Sequence, residues 1–209
     1  MTAAESAALT RVLDIRAIEN LQGRYLYLVQ AHDYDTILDL FSSRADVSAE
    51  IGESGVYEGP GKVRALFVGL LKPLFTSPGS LPIHMATTPV IEVDADGRHA
   101  DGMWQTIGCN AFPGGSGLTA TWQVGKYDNR FVKESGRWKF LRFRWLVHFR
   151  TAFDLGWVRQ PLAQVTPLDI SRFPHELHPT RPGKPHPPYN PAVPMDFGPL
   201  PPAPPPVRG

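Results

Sequence analysis

The stretch from Trp122 to Arg150 constrains the fold of this chain more than any other, because aromatic and β-branched residues crowd two runs joined at Glu134-Ser135-Gly136-Arg137. That pattern reads as two long antiparallel strands folded back on a tight turn. In the second run Leu141, Phe143, Trp145, Val147 and Phe149 alternate with Phe140, Arg142, Arg144, Leu146 and His148, so a period of two predicts one wholly apolar face and one mixed face. An apolar strand face of that length has to be covered by other elements.

The cover is expected from the N-terminal part. Ile15, Ile18, Leu21, Tyr25 and Leu28 recur at three- and four-residue steps, which predicts an amphipathic helix from Asp14 to Ala31. Asp33 and Asp35 are N-cap candidates for a short second helix through Phe41. Val47–Ile51 and Gly55–Glu58 read as a small hairpin around Gly52-Glu53-Ser54. A third helix is expected from Pro60, a favoured first-turn residue, to Phe75. Strand character then takes over, with runs at Ile83–Asp94 and His99–Phe112 before the opening stretch. Helices first and a curled antiparallel sheet afterwards describe an α+β fold.

The composition supports one such core: 209 residues, 42% of them hydrophobic, suit a single domain. Lysine and arginine number 21 against 20 acids, so no net positive field points to nucleic acid or to an anionic membrane. The N-terminal residues carry no secretory pattern, there is no apolar run of membrane-spanning length, and Cys109 is the single cysteine, so a soluble cytoplasmic protein is expected. Of the 22 prolines, 16 fall between Pro161 and Pro206, which excludes regular helix or central strand there. The expected organisation is a domain over residues 1–160 and an extended proline-rich arm over 161–209, anchored on the domain or on a neighbouring subunit, or else a solvated tail.

The order helix, short helix, hairpin, third helix and bent sheet is joined by particular residues: Arg24-Tyr25, Asp33-Tyr34-Asp35 and Leu40-Phe41 at the front, then Gly55 to Gly59, His84, and Gly125-Lys126-Tyr127 through Gly136-Arg137-Trp138-Lys139-Phe140. Together they resemble the nuclear-transport-factor-two-like superfamily, in its SnoaL-like and scytalone-dehydratase-like branch, over roughly residues 12 to 150 by the same pattern logic. The resemblance implies a cone-shaped curved sheet closed by three N-terminal helices over an apolar cavity. It also implies cofactor-free lyases, dehydratases or isomerases, and relatives that do no chemistry; lignin-derived diarylpropane lyases are one similar subclass.

Within that resemblance His84 takes the place of a pocket histidine, suited to proton transfer near neutral pH. Tyr25 and Tyr127 face the same interior and are expected to hold or protonate a substrate oxygen, as a stabilised phenol can. Gln30 stands where the family often has an acid/base aspartate, and an amide cannot take up a proton. Asn110 can bind a substrate oxygen, while Trp104, Trp122, Phe143 and Trp145 are expected as aromatic walls or ordinary core. Arg142, Arg144 and His148 share a face, whose direction the pattern leaves open. No metal is assigned: His175-Glu176-Leu177-His178 lacks a third ligand, and Gly59-Pro60-Gly61-Lys62 lacks phosphate-loop spacing. The expectation is a cofactor-independent lyase or dehydratase acting on a small aromatic or polycyclic oxygenated compound, in a homodimer or higher oligomer; the alternatives are an isomerase and a non-catalytic binding or assembly module.

Overall fold

The structure is a computed structural model that describes residues 2–160 apart from 53, 115 and 116. The expected arm over 161–209, with its histidine pair, lies outside the described residues.

Helix α1 spans Ala3–Gln30 and starts well before the apolar periodicity does. A capping box explains the early start: Glu5 N–H donates to Thr2 Oγ1 at 3.2 Å, and Thr2 N–H donates to Glu5 Oε2 at 2.7 Å. Its residues up to Leu13 are exposed, and burial begins at Asp14. From there Ile18, Leu21, Tyr25 and Val29 form the inward stripe, with Gln22 among them. Asp33 caps the short α2 (Tyr34–Ile37) by accepting from Thr36 N–H at 3.1 Å, and a 3-10 turn (Leu38–Leu40) completes the corner.

Strands β1 (Ser48–Ile51) and β2 (Val56–Glu58) make the expected small hairpin. Helix α3 (Pro60–Arg64) runs into a π-helical stretch (Ala65–Leu71) and then α4 (Lys72–Phe75). Pro73 has no N–H to return to the preceding turn, which accounts for the loosened winding just ahead of it. The sheet proper is β3 (Leu81–Val93), β4 (His99–Gly114), β5 (Gly117–Glu134) and β6 (Arg137–Ala152).

The six strands lie in the order β2-β1-β6-β5-β4-β3, antiparallel except for the parallel pair β1–β6. Ser135 and Gly136, at φ 48° and 78°, form the two-residue turn between β5 and β6, a conformation whose twist matches that of the strands. The chain is therefore an α+β cone: a curved, unclosed sheet with the helices over one face.

The alternation of β6 is interrupted twice. Register shifts fall between Arg130 and Phe131, opposite Arg142 and Phe140, and between Val124 and Gly125, opposite Phe149 and Val147. Each inserts one extra residue into β6, Leu141 and His148, and each reverses which residues face the helices. The single apolar face expected from Leu141 to Phe149 is thus corrected: Phe140, Phe143 and Trp145 are buried inside, Phe149 faces outward against Trp157 at 5.0 Å, and Arg150 turns inward.

The core gathers Tyr25, Phe41, Phe67, Tyr127, Phe140 and Phe143 under α1 and the third helical segment. Outside, on the face turned from the helices, Arg144 donates Nε–H to Glu50 at 3.1 Å and lies 3.6 Å from the fully buried Asp128. Arg142 lies on this outer face too, 3.8 Å from Asp128, while His148 is exposed at the bulge.

Candidate functional site

Strands β3, β4 and β5 are in continuous register where the inward side chains meet: His84 pairs with Gly108, and Gly108 pairs with Gln123. All three positions therefore face the helices. A Cβ on Gly108 would stand 3.1 Å from both the His84 ring and Gln123 Nε2, so glycine is what lets those two side chains approach across it.

His84 is engaged at both nitrogens. Gln123 presents its amide nitrogen to Nε2, which makes Nε2 the acceptor and leaves the ring proton on Nδ1. Nδ1 lies 3.2 Å from Tyr127 Oη. Tyr127 in turn meets Tyr25 edge-to-face, with ring centroids 5.9 Å apart. Gln123 Oε1 accepts from Arg150 Nε–H at 3.5 Å. The result is a polar line Arg150–Gln123–His84–Tyr127–Tyr25 inside an aromatic surround.

That surround is held in place by its own contacts. Trp145 lies 5.0 Å from the His84 ring and donates its indole N–H to Thr106 Oγ1 at 3.1 Å. Phe143 packs on Tyr25 at 4.6 Å and Tyr127 at 5.4 Å. Below them Asn129 donates to Gln22 of α1 at 2.9 Å, a bond that pins the helix to the sheet.

Electrostatics sharpen the roles. Burial pushes His84 down to about 4, and the Arg150 charge pushes the same way. Its imidazole is neutral across the physiological range, and among the described residues no carboxylate is hydrogen-bonded to it. Burial lifts the Tyr25 phenol well above its ordinary value, with the phenols of Tyr127 and Tyr34 adding to the effect. Burial also lifts Tyr127, partly offset by its hydrogen bond with Tyr25. The sequence-based idea of a phenol acidified by its surroundings is corrected: these hydroxyls stay protonated and serve as hydrogen-bond donors.

The other expected residues are placed unevenly. Asn110, 6% exposed, is on the His84 face two positions along β4 from Gly108. Trp104 is buried on that face against Phe131, 6.1 Å away, as core. The structure does not bring Gln30 or Trp122 to the group. Gln30 ends α1 on an exposed turn, and Trp122 occupies an outward β5 position, stacked on Phe153 at 5.9 Å. The sequence pattern does not mark Arg150 or Thr106 as site residues: Thr106 shares the Asn110 face, whereas the bulge at His148 reverses the parity that would point to Arg150.

Asp94, Asp96 and His99 bring ligand atoms within 4.8 Å of one another at the β3–β4 turn. Asp94 pairs with Arg130 at 2.6 Å and Asp96 accepts from Arg98 N–H at 2.7 Å, so turn geometry accounts for the cluster. Among the described residues no helix is long and apolar enough to cross a membrane.

No curated protein matches the chain in sequence. Its fold is similar to that of hexachlorocyclohexane dehydrochlorinase LinA type 2, at 20% identity and TM-score 0.60, covering 70% of this chain and 93% of that one. It is also similar to a scytalone-dehydratase-like protein of Novosphingobium aromaticivorans DSM 12444, at 17% identity and TM-score 0.59, covering 76% and 99%. A third similar structure is LinA type 3 of Novosphingobium barchaimii LL02, at 18% identity and TM-score 0.59, covering 70% and 94%. At these identities the likeness is one of fold. The SnoaL-like domain family matches residues 10–144, the span that holds both the helical cover and His84, and the chain belongs to that family.

Proposed function

We propose that this protein is a cofactor-independent lyase or dehydratase that eliminates water or formaldehyde from a small aromatic or polycyclic oxygenated compound held on the concave face. The observation that carries this reading is the hydrogen-bonded line from Gln123 through His84 to Tyr127, set among Trp145, Phe143 and Tyr25. His84 accepts the proton at Nε2, which the substrate reaches by displacing the Gln123 amide N–H that Nε2 accepts from at rest, while Tyr127 and Tyr25 hold the oxygen on which charge develops. A base held near 4 is always in its base form but weak, so the substrate must supply the driving force through an acidified proton, such as one next to a carbonyl or on a phenol. The aromatic side chains bind the body of the substrate, and the Asn110 amide binds one of its oxygens. The reading includes the cytoplasmic homo-oligomer and the division into a 1–160 domain and a 161–209 arm.

A second reading, a non-catalytic binding module, is favoured by one observation: Gln30 replaces the family's aspartate and lies on an exposed turn. An isomerase would return the same proton to the substrate instead of expelling a group. Incubation with aromatic diols, followed both for dehydrated product or formaldehyde and for an isomer of unchanged mass, separates the three. The lyase reading expects product from the wild type and a loss of about 100-fold or more in His84→Ala. Unchanged turnover in that variant removes His84 from the chemistry, and tight binding without conversion leaves the binding module.

A further inference from the structure

Two residues beyond His84 on the same face are polar and buried, and the proton transfer uses neither of them. Asn110 on β4 and Thr121 on β5 are cross-strand partners in the register, 6% and 3% exposed. Asn110 Oδ1 and Thr121 Oγ1 are both buried and find no hydrogen-bond partner among the described residues, not even each other. Leaving two such atoms unsatisfied in a folded protein is costly, and native proteins do so mainly where a ligand or water completes the bonding. Both side chains face the helices, because Asn110 shares its face with Gly108 and Thr106, and Thr121 shares its face with Gln123 and Tyr127. Phe112 and Phe75, ring centroids 6.4 Å apart, close the apolar surface beyond them.

We propose that Asn110 and Thr121 form a second recognition point that holds a hydroxyl or carbonyl oxygen of the ligand, so that the ligand class is a rigid, ring-sized body with oxygen functions at both ends. The separation follows from the strand: Asn110 stands two residues from Gly108, about 7 Å along β4. One end of the ligand meets His84 and Tyr127, and the other meets the amide and hydroxyl. A carboxamide and an alcohol together offer donors and acceptors, which suits a neutral oxygen. This proposal rests on the acid/base reading of the same face, but it is a statement about binding and is tested without turnover.

The probes are 4-hydroxybenzyl alcohol and benzyl alcohol, which differ only in the far oxygen, measured by calorimetric titration. The wild type is expected to bind the dioxygenated compound about tenfold more tightly, the worth of one or two good buried hydrogen bonds. Thr121→Val and Asn110→Leu are expected to erase that preference while keeping the affinity for benzyl alcohol. Thr121→Ser, which keeps the hydroxyl, is expected to retain it. Both apolar variants are also expected to unfold a few degrees higher in the ligand-free state, because each removes an unsatisfied buried atom. Equal affinity for the two probes, or no binding of either, overturns the recognition point whatever His84→Ala does to turnover. A lowered unfolding temperature in the apolar variants overturns it too, since it would assign the two groups to holding the fold.

Discussion

His84 shows how far burial can move a side chain from its behaviour in water. Its folded value of about 4, against an ordinary 6.5, means that the unfolded chain binds a proton between those limits and the folded one does not. The sign follows: the contribution of His84 is fully present above pH 6.5 and is lost as pH falls through the folded value, by about 3 kcal/mol in all. Denaturant unfolding at pH 7 and pH 4.5 is expected to show that loss in the wild type and a much smaller one in His84→Gln; equal losses would place the histidine in water. A companion expectation concerns Tyr127→Phe, which strips the partner from His84 Nδ1 and should cost about 1–3 kcal/mol of stability. The sequence could name His84, Tyr25 and Tyr127 because the family resemblance marks those positions, and the helix and strand faces that carry them follow simple periods. It could not give the pKa directions, which depend on aromatic rings brought from five separate segments.

At the level of elements, glycines decide how close the strands can carry their side chains. A Cβ on Gly108 would meet the Ile83 carbonyl at 2.8 Å and crowd both His84 and Gln123, and a Cβ on Gly125 would run into the Leu146 carbonyl. Backbone cannot step aside cheaply, so Gly108→Ala and Gly125→Ala are each expected to lose about 1–3 kcal/mol. Gly23→Ala is the control: on α1 a Cβ there meets nothing within 4 Å, and the variant should gain up to about 1 kcal/mol. Thermal unfolding of the three proteins checks the order, and stability unchanged in Gly125→Ala would mean that β5 and β6 pack more loosely than described. The bulges belong to this scale as well. An extra residue at Leu141 or His148 leaves no mark on hydrophobic alternation, so the pattern from Leu141 to Phe149 reads as one uninterrupted strand face and does not point to Arg150. The capping box at Thr2 and Glu5, by contrast, is legible in the sequence and marks the start of α1.

For the whole molecule, the sheet face turned from the helices has two zones. One is a set of buried charges, Glu50 and Asp128 with Arg144, whose mutual pairing lets a single-layer sheet hide them. The other is apolar: Met85, Ile107, Val124 and Phe149 form one row across β3, β4, β5 and β6, and Phe153 and Trp157 stack at its edge. Met85, Phe153 and Trp157 remain 48%, 66% and 59% exposed, so large apolar side chains at the row and its edge meet solvent. The family often pairs as dimers, and in the homo-oligomer proposed above a second copy of this row would supply the matching chemistry. Light scattering is expected to give about twice the chain mass of 23.1 kDa for the wild type. Ile107→Glu puts a charge in the middle of the row and should shift the mass toward that of one chain, with calorimetric binding at the concave face unchanged because Ile107 points the other way. A wild type that stays at the single-chain mass at every concentration tested would leave the row to some other partner, and a variant that dimerises normally would move the contact elsewhere on the molecule.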